Sequence, residues 1–425
     1  QEERSGHMSA AARPRLIFVS QWYDPEPNVR GAAFARRLGE LGFDVEVVTG
    51  FPNYPGGKVY GGYRIRPILK EMRDGVAVTR LALYPSHDAS RLGRILNFVS
   101  FFLSTTLYLT LFARRADVIC AYHPPITVGL ATVVTRFFRR TPVLLEVQDM
   151  WPDTLRATGM INSGSVLGII DAVCRWTWRR VDHVVAQSDG FRRLLIERGA
   201  PPEKISVIHN WADEDAMYAP PGPRPEAFGD TGKFRVLFAG NMGLAQAIDS
   251  ALDAAALVAE SHPHIEFCFL GYGLETERLK TRAQREELAN VRFLPRVPAA
   301  EVGAWLAAAD VLLVHLKDDP LFDVTVPSKT QAYLIAGKPV LMAVSGDAAE
   351  LVRQAGAGLI VPPEDPQALA GAVVQLAGLD PAELATLGAN GRAFYERELS
   401  FDKGTRAFAA ILSELAARRA GAAGN

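Results

Sequence analysis

Short apolar runs of strand length alternate with longer amphipathic stretches along almost the whole chain. Arg15–Ser20 reads as a strand, and after a loop Ala32–Leu41 carries the three-to-four-residue spacing of a helix. Asp44–Thr49, Val76–Leu81, Val118–Ala121, Val143–Glu146, His183–Ala186 and Ile205–Ile208 continue the strand series. Near Pro220–Gly232 the pattern breaks into proline and glycine, which reads as a linker. It then restarts with Phe234–Ala239, a glycine-containing loop and a helix over Ala247–Ala259. Ile265–Leu270, Val291–Leu294, Val311–Val314, Val340–Val344 and Gly358–Val361 are further strands. Strands alternating with helices predict parallel βαβ units in doubly wound sheets. The expected fold is α/β, with two Rossmann-like halves facing a central cleft at the carboxyl ends of their strands, where ligands bind. The halves run over 14–213 and 214–398, and 399–425 reads as a closing helix returning toward the first half.

Composition narrows the class. A chain of 425 residues, 48% hydrophobic and 22% charged, builds a sizeable core in two or three domains. Cys120, Cys174 and Cys268 are too few and too scattered for a disulfide framework or a cysteine zinc site, which points to a reducing compartment. Gln1–His7 reads as an appended segment before a natural start at Met8, with no secretory signal after it. The net charge of −1 hides an asymmetry. Residues 15–213 hold 25 Lys and Arg against 18 Asp and Glu, whereas 214–425 hold 19 against 27. A basic half implies an anionic partner: lipid headgroups, phosphates or nucleic acid.

Several segments carry candidate chemistry. In Val326–Val340, Pro327 and Ser328 open a helix, Lys329 sits in its first turn, and Ala336-Gly337-Lys338-Pro339 ends it. Unpaired N–H groups, the positive helix end and a lysine together suit a phosphate or diphosphate. The loop from the first strand of each half runs into a helix, past Arg30-Gly31 in one and Gly240-Asn241-Met242-Gly243 in the other. Glycines there let backbone N–H groups approach a ligand, although neither loop has a complete dinucleotide fingerprint. Residues 51–73 read as a loop in which Tyr54, Tyr60 and Tyr63 interleave with Lys58, Arg64, Arg66, Lys70 and Arg73. Such a loop suits a membrane interface, a sugar-phosphate acceptor or single-stranded nucleic acid. Ile95–Ala113 is strongly apolar and flanked by Arg91, Arg94, Arg114 and Arg115. A single membrane span there would divide strands that must pair, which leaves a buried sheet-covering helix or an interfacial one. Asp149 and His123 each follow or end a strand where ligands bind; Glu146 sits inside an apolar run as a polar anchor. No His/Cys pair has metal-ligand spacing, and no nucleophile elbow is present.

Taken together, LGELGFDVEVVTG, LLEVQDMWPD and VIHNWAD in the first half resemble the family 4 glycosyltransferases of the GT-B fold, in particular the bacterial fucosaminyl- and colanic-acid-type transferases. The second half adds LFAGNMGLAQAID, FLGYGLETERL, VPSKTQAYLIAGKPV and GAGLIVPPEDPQALA, in the same order. The resemblance implies a sugar-nucleotide donor, UDP-linked, on the second half. Gly240, Asn241, Gly243, Ser328 and Lys329 would hold its diphosphate, and Gly271, Tyr272 and Gly273 would lie near its base. It implies an acceptor on the first half, with Arg30 and Gly31 lining the cleft; Tyr54 and Arg64 of the aromatic-basic loop are further acceptor candidates. Lys329, Asp149 and His123 would take the catalytic roles, with no metal or other cofactor. Two glutamates of the family fall at Val324 and Ala332 here, and Asp323, one residue off register from the first, is the donor-binding candidate for its sugar contact; Gln246 stands where relatives place a lysine.

The expected activity is retaining transfer of a sugar to a polyprenyl-diphosphate-linked acceptor in surface polysaccharide synthesis. The expected partners include an anionic membrane surface and no nucleic acid, with the protein peripheral on the cytoplasmic face. A GT-B epimerase of UDP-sugars and a catalytically silent nucleotide-sugar-binding protein are the alternatives.

Overall fold

The computed structural model describes residues 13–86, 91–157, 161, 163–218, 225–229 and 232–423. The chain divides into two compact units. One comprises the chain up to Ala186 together with Leu194–Ile208 and the stretch from Thr405; the other comprises Gln187–Arg193 and His209–Gly404.

The first unit is built on β1 (Arg15–Val19), β2 (Asp44–Gly50), β3 (Ile68–Arg73), β4 (Val76–Leu81), β5 (Val118–His123), β6 (Val143–Val147), β7 (His183–Ala186) and β8 (Ile205–Val207). They form one sheet in the order β3-β4-β2-β1-β5-β6-β7-β8. Every pairing is parallel except β3 with β4. Strands β1, β5 and β6 are apolar and almost wholly buried, as sheets covered on both faces require. Strand order reverses at β1, so the loops after β1 and β5 diverge there, and His123 ends β5 at that point.

The antiparallel β3 corrects the reading of residues 51–73 as one loop. Arg73-Asp74-Gly75-Val76 makes a tight hairpin, with φ of 49° at Asp74 and 80° at Gly75. As an edge strand β3 buries little, and its charged residues guard an open edge.

Four helices position the ligand side of this unit: α1 (Ala32–Glu40), α2 (Arg91–Leu107, continued by a π turn over Tyr108–Phe112), α3 (Ile126–Arg139) and α4 (Asp153–Ala157). A fifth, α5 (Gly164–Arg180), packs beside α3. Helix α2 is apolar on both sides. Asn97, Phe101, Thr105, Tyr108 and Leu109 face inward and are buried, whereas Leu92, Leu96, Val99, Leu103, Leu107 and Leu111 form an exposed stripe. Asn97 docks the helix: it accepts from Gln21 Nε2 at 2.5 Å and donates to the Tyr84 carbonyl at 2.7 Å.

The second unit carries β9 (Phe234–Ala239), β10 (Ile265–Leu270), β11 (Val291–Leu294), β12 (Val311–His315), β13 (Val340–Ala343) and β14 (Gly358–Ile360). Their order, β11-β10-β9-β12-β13-β14, is the doubly wound dinucleotide-type arrangement, and all pairings are parallel. Strand alternation divides its core in two. Leu237 and Ala239 of β9 face one cluster, and Val236 and Phe238 face the other. Of the Pro220–Gly232 linker, residues 220–224 and 230–231 lie outside the described residues, as does Gln1–His7. Glu226–Phe228, by contrast, forms a 3-10 turn, and Phe228 is buried in this unit with its ring 5.0 Å from that of Trp305.

Candidate functional site

In the second unit, strand order reverses at β9, and the loop after β9 meets the start of helix Ser328–Ala336. Pro327 is the N-cap, with extended backbone and no side-chain hydrogen bond to the helix. Lys329 leans back over the β9 loop. Its ammonium lies 4.8 Å from the Phe238 ring centre, and a Cβ placed on Gly240 would meet its Cε at 2.7 Å and Nζ at 2.9 Å. Among the described residues, no carboxylate pairs with Lys329 and no hydrogen bond reaches it. Burial without a counter-charge lowers its pKa from 10.5 to about 8. The result is an unneutralised lysine at a helix N-terminus.

The glycines explain how backbone reaches this point. Gly240 and Gly271 have φ of 138° and 130°, and the Gly240 N–H donates to the Leu270 carbonyl at 2.8 Å. A Cβ on Gly271 would strike the Gly240 carbonyl, and one on Gly273 would strike that of Met242. The loops after β9 and β10 are therefore stacked backbone on backbone, with Tyr272 exposed at their edge. The Gly243 N–H donates to Gln246 Oε1 at 2.9 Å, and Asn241 Nδ2 approaches the same oxygen at 3.5 Å. So Gln246 braces the loop from within. Ser328 and Asp323 are exposed, and Asp323 closes the short helix Pro320–Asp323, its carbonyl packed against Gly346. The structure thus gathers Gly240, Gly271, Gly273 and Lys329 closely, with Ser328 at the same helix start.

One neighbour escaped the sequence reading. His315 ends β12, and its Nδ1 lies 2.9 Å from the Gln246 carbonyl, which fixes the proton on Nδ1. Its Nε2 is buried without a hydrogen-bond partner among the described residues. The available signal was its place at the end of a central strand, the same place His123 holds in the first unit.

The first-unit candidates are distributed differently. Arg30 is not on the surface: it is 1% exposed and forms a forked pair with the fully buried Glu146, at 3.0 Å from Nε and 2.7 Å from Nη2. Phe34 and Phe408 flank its guanidinium at 5.7 and 5.6 Å. Gln148 also donates to Glu146, at 2.5 Å. Gly31 caps α1, but the Asp24 carboxylate already accepts the Ala32 N–H at 2.8 Å, so this helix end has its anion built in. A Cβ on Gly31 would meet the side chains of Asp24 and Asn28. Arg64 is exposed on the segment preceding β3.

Tyr54 belongs to a run of rings. Its centroid is 5.3 Å from Trp22, which is 6.4 Å from Phe98; Phe98 is 5.9 Å from Trp151, and Trp151 is 5.8 Å from His123. His123 is fully buried, and neither ring nitrogen has a partner among the described residues. Desolvation lowers its pKa to about 3, so the imidazole is neutral at ordinary pH. Asp149 accepts from Thr154 Oγ1 at 2.5 Å at the start of α4, and burial raises its pKa against that hydrogen bond.

Comparison with known proteins places these features in context. Residues 27–211 match the family model described as "Glycosyl transferase 4-like domain", and residues 233–378 match "Glycosyl transferases group 1". WbjE of Pseudomonas aeruginosa, named a probable glycosyltransferase, is 30% identical over 318 residues, covering 72% of this chain and 78% of that protein. WcaI of Escherichia coli K12, a glycosyl transferase assigned to colanic acid biosynthesis, is 27% identical, covering 72% and 77%. Anabaena Alr3699/HepE, solved in complex with UDP, superposes with a TM-score of 0.66 at 17% identity, covering 94% of this chain and all of that one (100%).

Proposed function

Since the chain belongs to the family 4 glycosyltransferases of the GT-B fold, we propose that it is a retaining enzyme moving a sugar from a UDP-sugar to a polyprenyl-diphosphate-linked acceptor. The donor is held by the second unit and the acceptor by the first. The observation that carries the reading is Lys329, an unneutralised lysine at a helix N-terminus beside two stacked glycine loops. A leaving diphosphate gathers charge on oxygen, and a preorganised ammonium with oriented N–H groups stabilises it without a metal. Retention follows front-face attack, in which a donor phosphate oxygen takes the acceptor proton. Neutral His123 then serves as a hydrogen-bonding group, and Asp149 orients the acceptor.

Surface polysaccharide synthesis on the inner face of the plasma membrane is supported by the colanic-acid relative and by the first unit's surface. Besides the exposed stripe of α2, Phe137 and Phe138 at the end of α3 are exposed, and the Phe137 ring stacks on Trp176 at 6.2 Å. A cavity of about 510 Å³ is lined by Arg115, Arg136, Arg140, Arg418 and Arg419, with Asp182 their one acid there. Apolar side chains together with arginines suit an anionic lipid surface.

The test is UDP release from UDP-sugars offered with and without a lipid-diphosphate-linked sugar. Release that depends on the acceptor is the expected result; conversion of the donor alone would indicate an epimerase. One observation favours the catalytically silent alternative: Val324 and Ala332 occupy the family's acidic positions. Donor binding with no turnover on any acceptor would establish that alternative.

A further inference from the structure

A second cavity, of about 250 Å³, lies in the first unit among α2, α3, α4 and α5. It lies just below the ordinary range of whole-ligand pockets, the size for part of a larger ligand, and is lined almost wholly by carbon, including Phe98, Leu130, Trp151 and Val173. Two polar groups interrupt the lining, Arg94 and Thr127. Arg94 Nε and Thr127 Oγ1 are both buried without a hydrogen-bond partner among the described residues. An apolar chamber beside a guanidinium nitrogen that lacks an acceptor is complementary to an apolar chain ending in a phosphate.

The position of the chamber decides which chain. Its wall residues Phe98 and Trp151 are the middle members of the ring series from Tyr54 to His123. The pocket therefore adjoins the carboxyl end of β5, the ligand side of this sheet. A ligand with its headgroup near His123 has its apolar portion directed along the neighbouring rings of Trp151 and Phe98. A branched isoprene chain matches a wall of aromatic rings and branched aliphatic side chains by shape and by burial of apolar surface. The volume takes a short run of isoprene units.

We propose that this pocket binds the diphosphate-proximal isoprene units of the lipid-linked acceptor, with Arg94 and Thr127 meeting its phosphate. The assignment rests on the acceptor reading above and adds to it a site. It makes α2 a substrate-binding element, with Arg94, Ile95, Phe98 and Val99 lining the chain site and Leu103 and Leu107 turned to solvent beyond it.

The test uses farnesyl diphosphate with the full-length protein and follows Trp151 emission, with Trp151→Phe to show that the signal comes from the pocket. Leu130→Phe and Val173→Phe fill the chamber from two helices, and each should weaken binding at least tenfold while the melting temperature holds. Arg94→Gln should weaken farnesyl diphosphate about fivefold and leave farnesol unchanged. The outer-stripe variant Leu103→Gln should bind farnesyl diphosphate as the wild type does. Unchanged affinity in both filling variants would overturn the proposal. So would an equal loss in Leu103→Gln, which would mean adsorption to the helix surface. Acceptor-dependent UDP release on the same preparations separates the two claims. Release with binding indifferent to filling removes the pocket alone; chain binding without release removes the reaction alone.

Discussion

At the scale of single residues, charge and burial pull in opposite directions at Lys329. Its pKa in the folded protein is about 8, against an ordinary 10.5, so the unfolded chain binds more protons between those values. Stability of the ligand-free protein therefore rises with pH across that window, and below about pH 8 the whole cost is present. Lys329→Met should stabilise the free protein at pH 7 by on the order of 1–3 kcal/mol, with the gain fading toward pH 10.5. Urea unfolding at pH 7 and pH 10 measures it; an equal effect at both would mean that the ammonium carries no burial cost. The Arg30–Glu146 pair shows where reading by residue type stops. Arg30 looks like a ligand arginine because it precedes a helix in a strand-end loop. Its carboxylate partner is 116 positions away, a distance that only the sheet order closes. By contrast, Glu146 inside an apolar run was legible as an internal anchor, because a charge there needs a buried partner.

At the scale of elements, the buried parallel strands were the most legible. Their apolar runs are bounded by turns, so β7, β9 and β10 fall where the pattern puts them. Strand β3 was not legible, because an edge strand paired on one side needs little apolar surface and reads as loop. The Asp74-Gly75 pair was the available signal for its hairpin. Helix α2 needed the structure for a different reason: both of its faces are apolar, so periodicity alone could not separate the buried side from the exposed one. If the outer stripe meets lipid, Leu103→Gln with Leu107→Gln should abolish flotation with anionic liposomes and leave the melting temperature unchanged. Added salt should weaken wild-type flotation through the arginine cluster. Flotation that ignores both the substitutions and the salt would remove the membrane from the account.

At the scale of the whole molecule, two sheets carry ligand loops at the points where strand order reverses, and their chemistry differs. The first unit offers aromatic rings, a neutral histidine and an apolar chamber, whereas the second offers glycine loops and an uncompensated cation. This division matches a donor that is mostly charge and an acceptor that is mostly chain. The sequence carried the two-unit plan and the lysine at its helix start. It did not carry the ring series or His315, because those are meetings between loops far apart in the chain. The central claim is that Lys329 holds the donor diphosphate, and titration of UDP against wild type and Lys329→Ala tests it most directly. The account predicts a loss of at least tenfold in UDP affinity at pH 7 with uridine binding little changed. UDP affinity equal in the two proteins would contradict it.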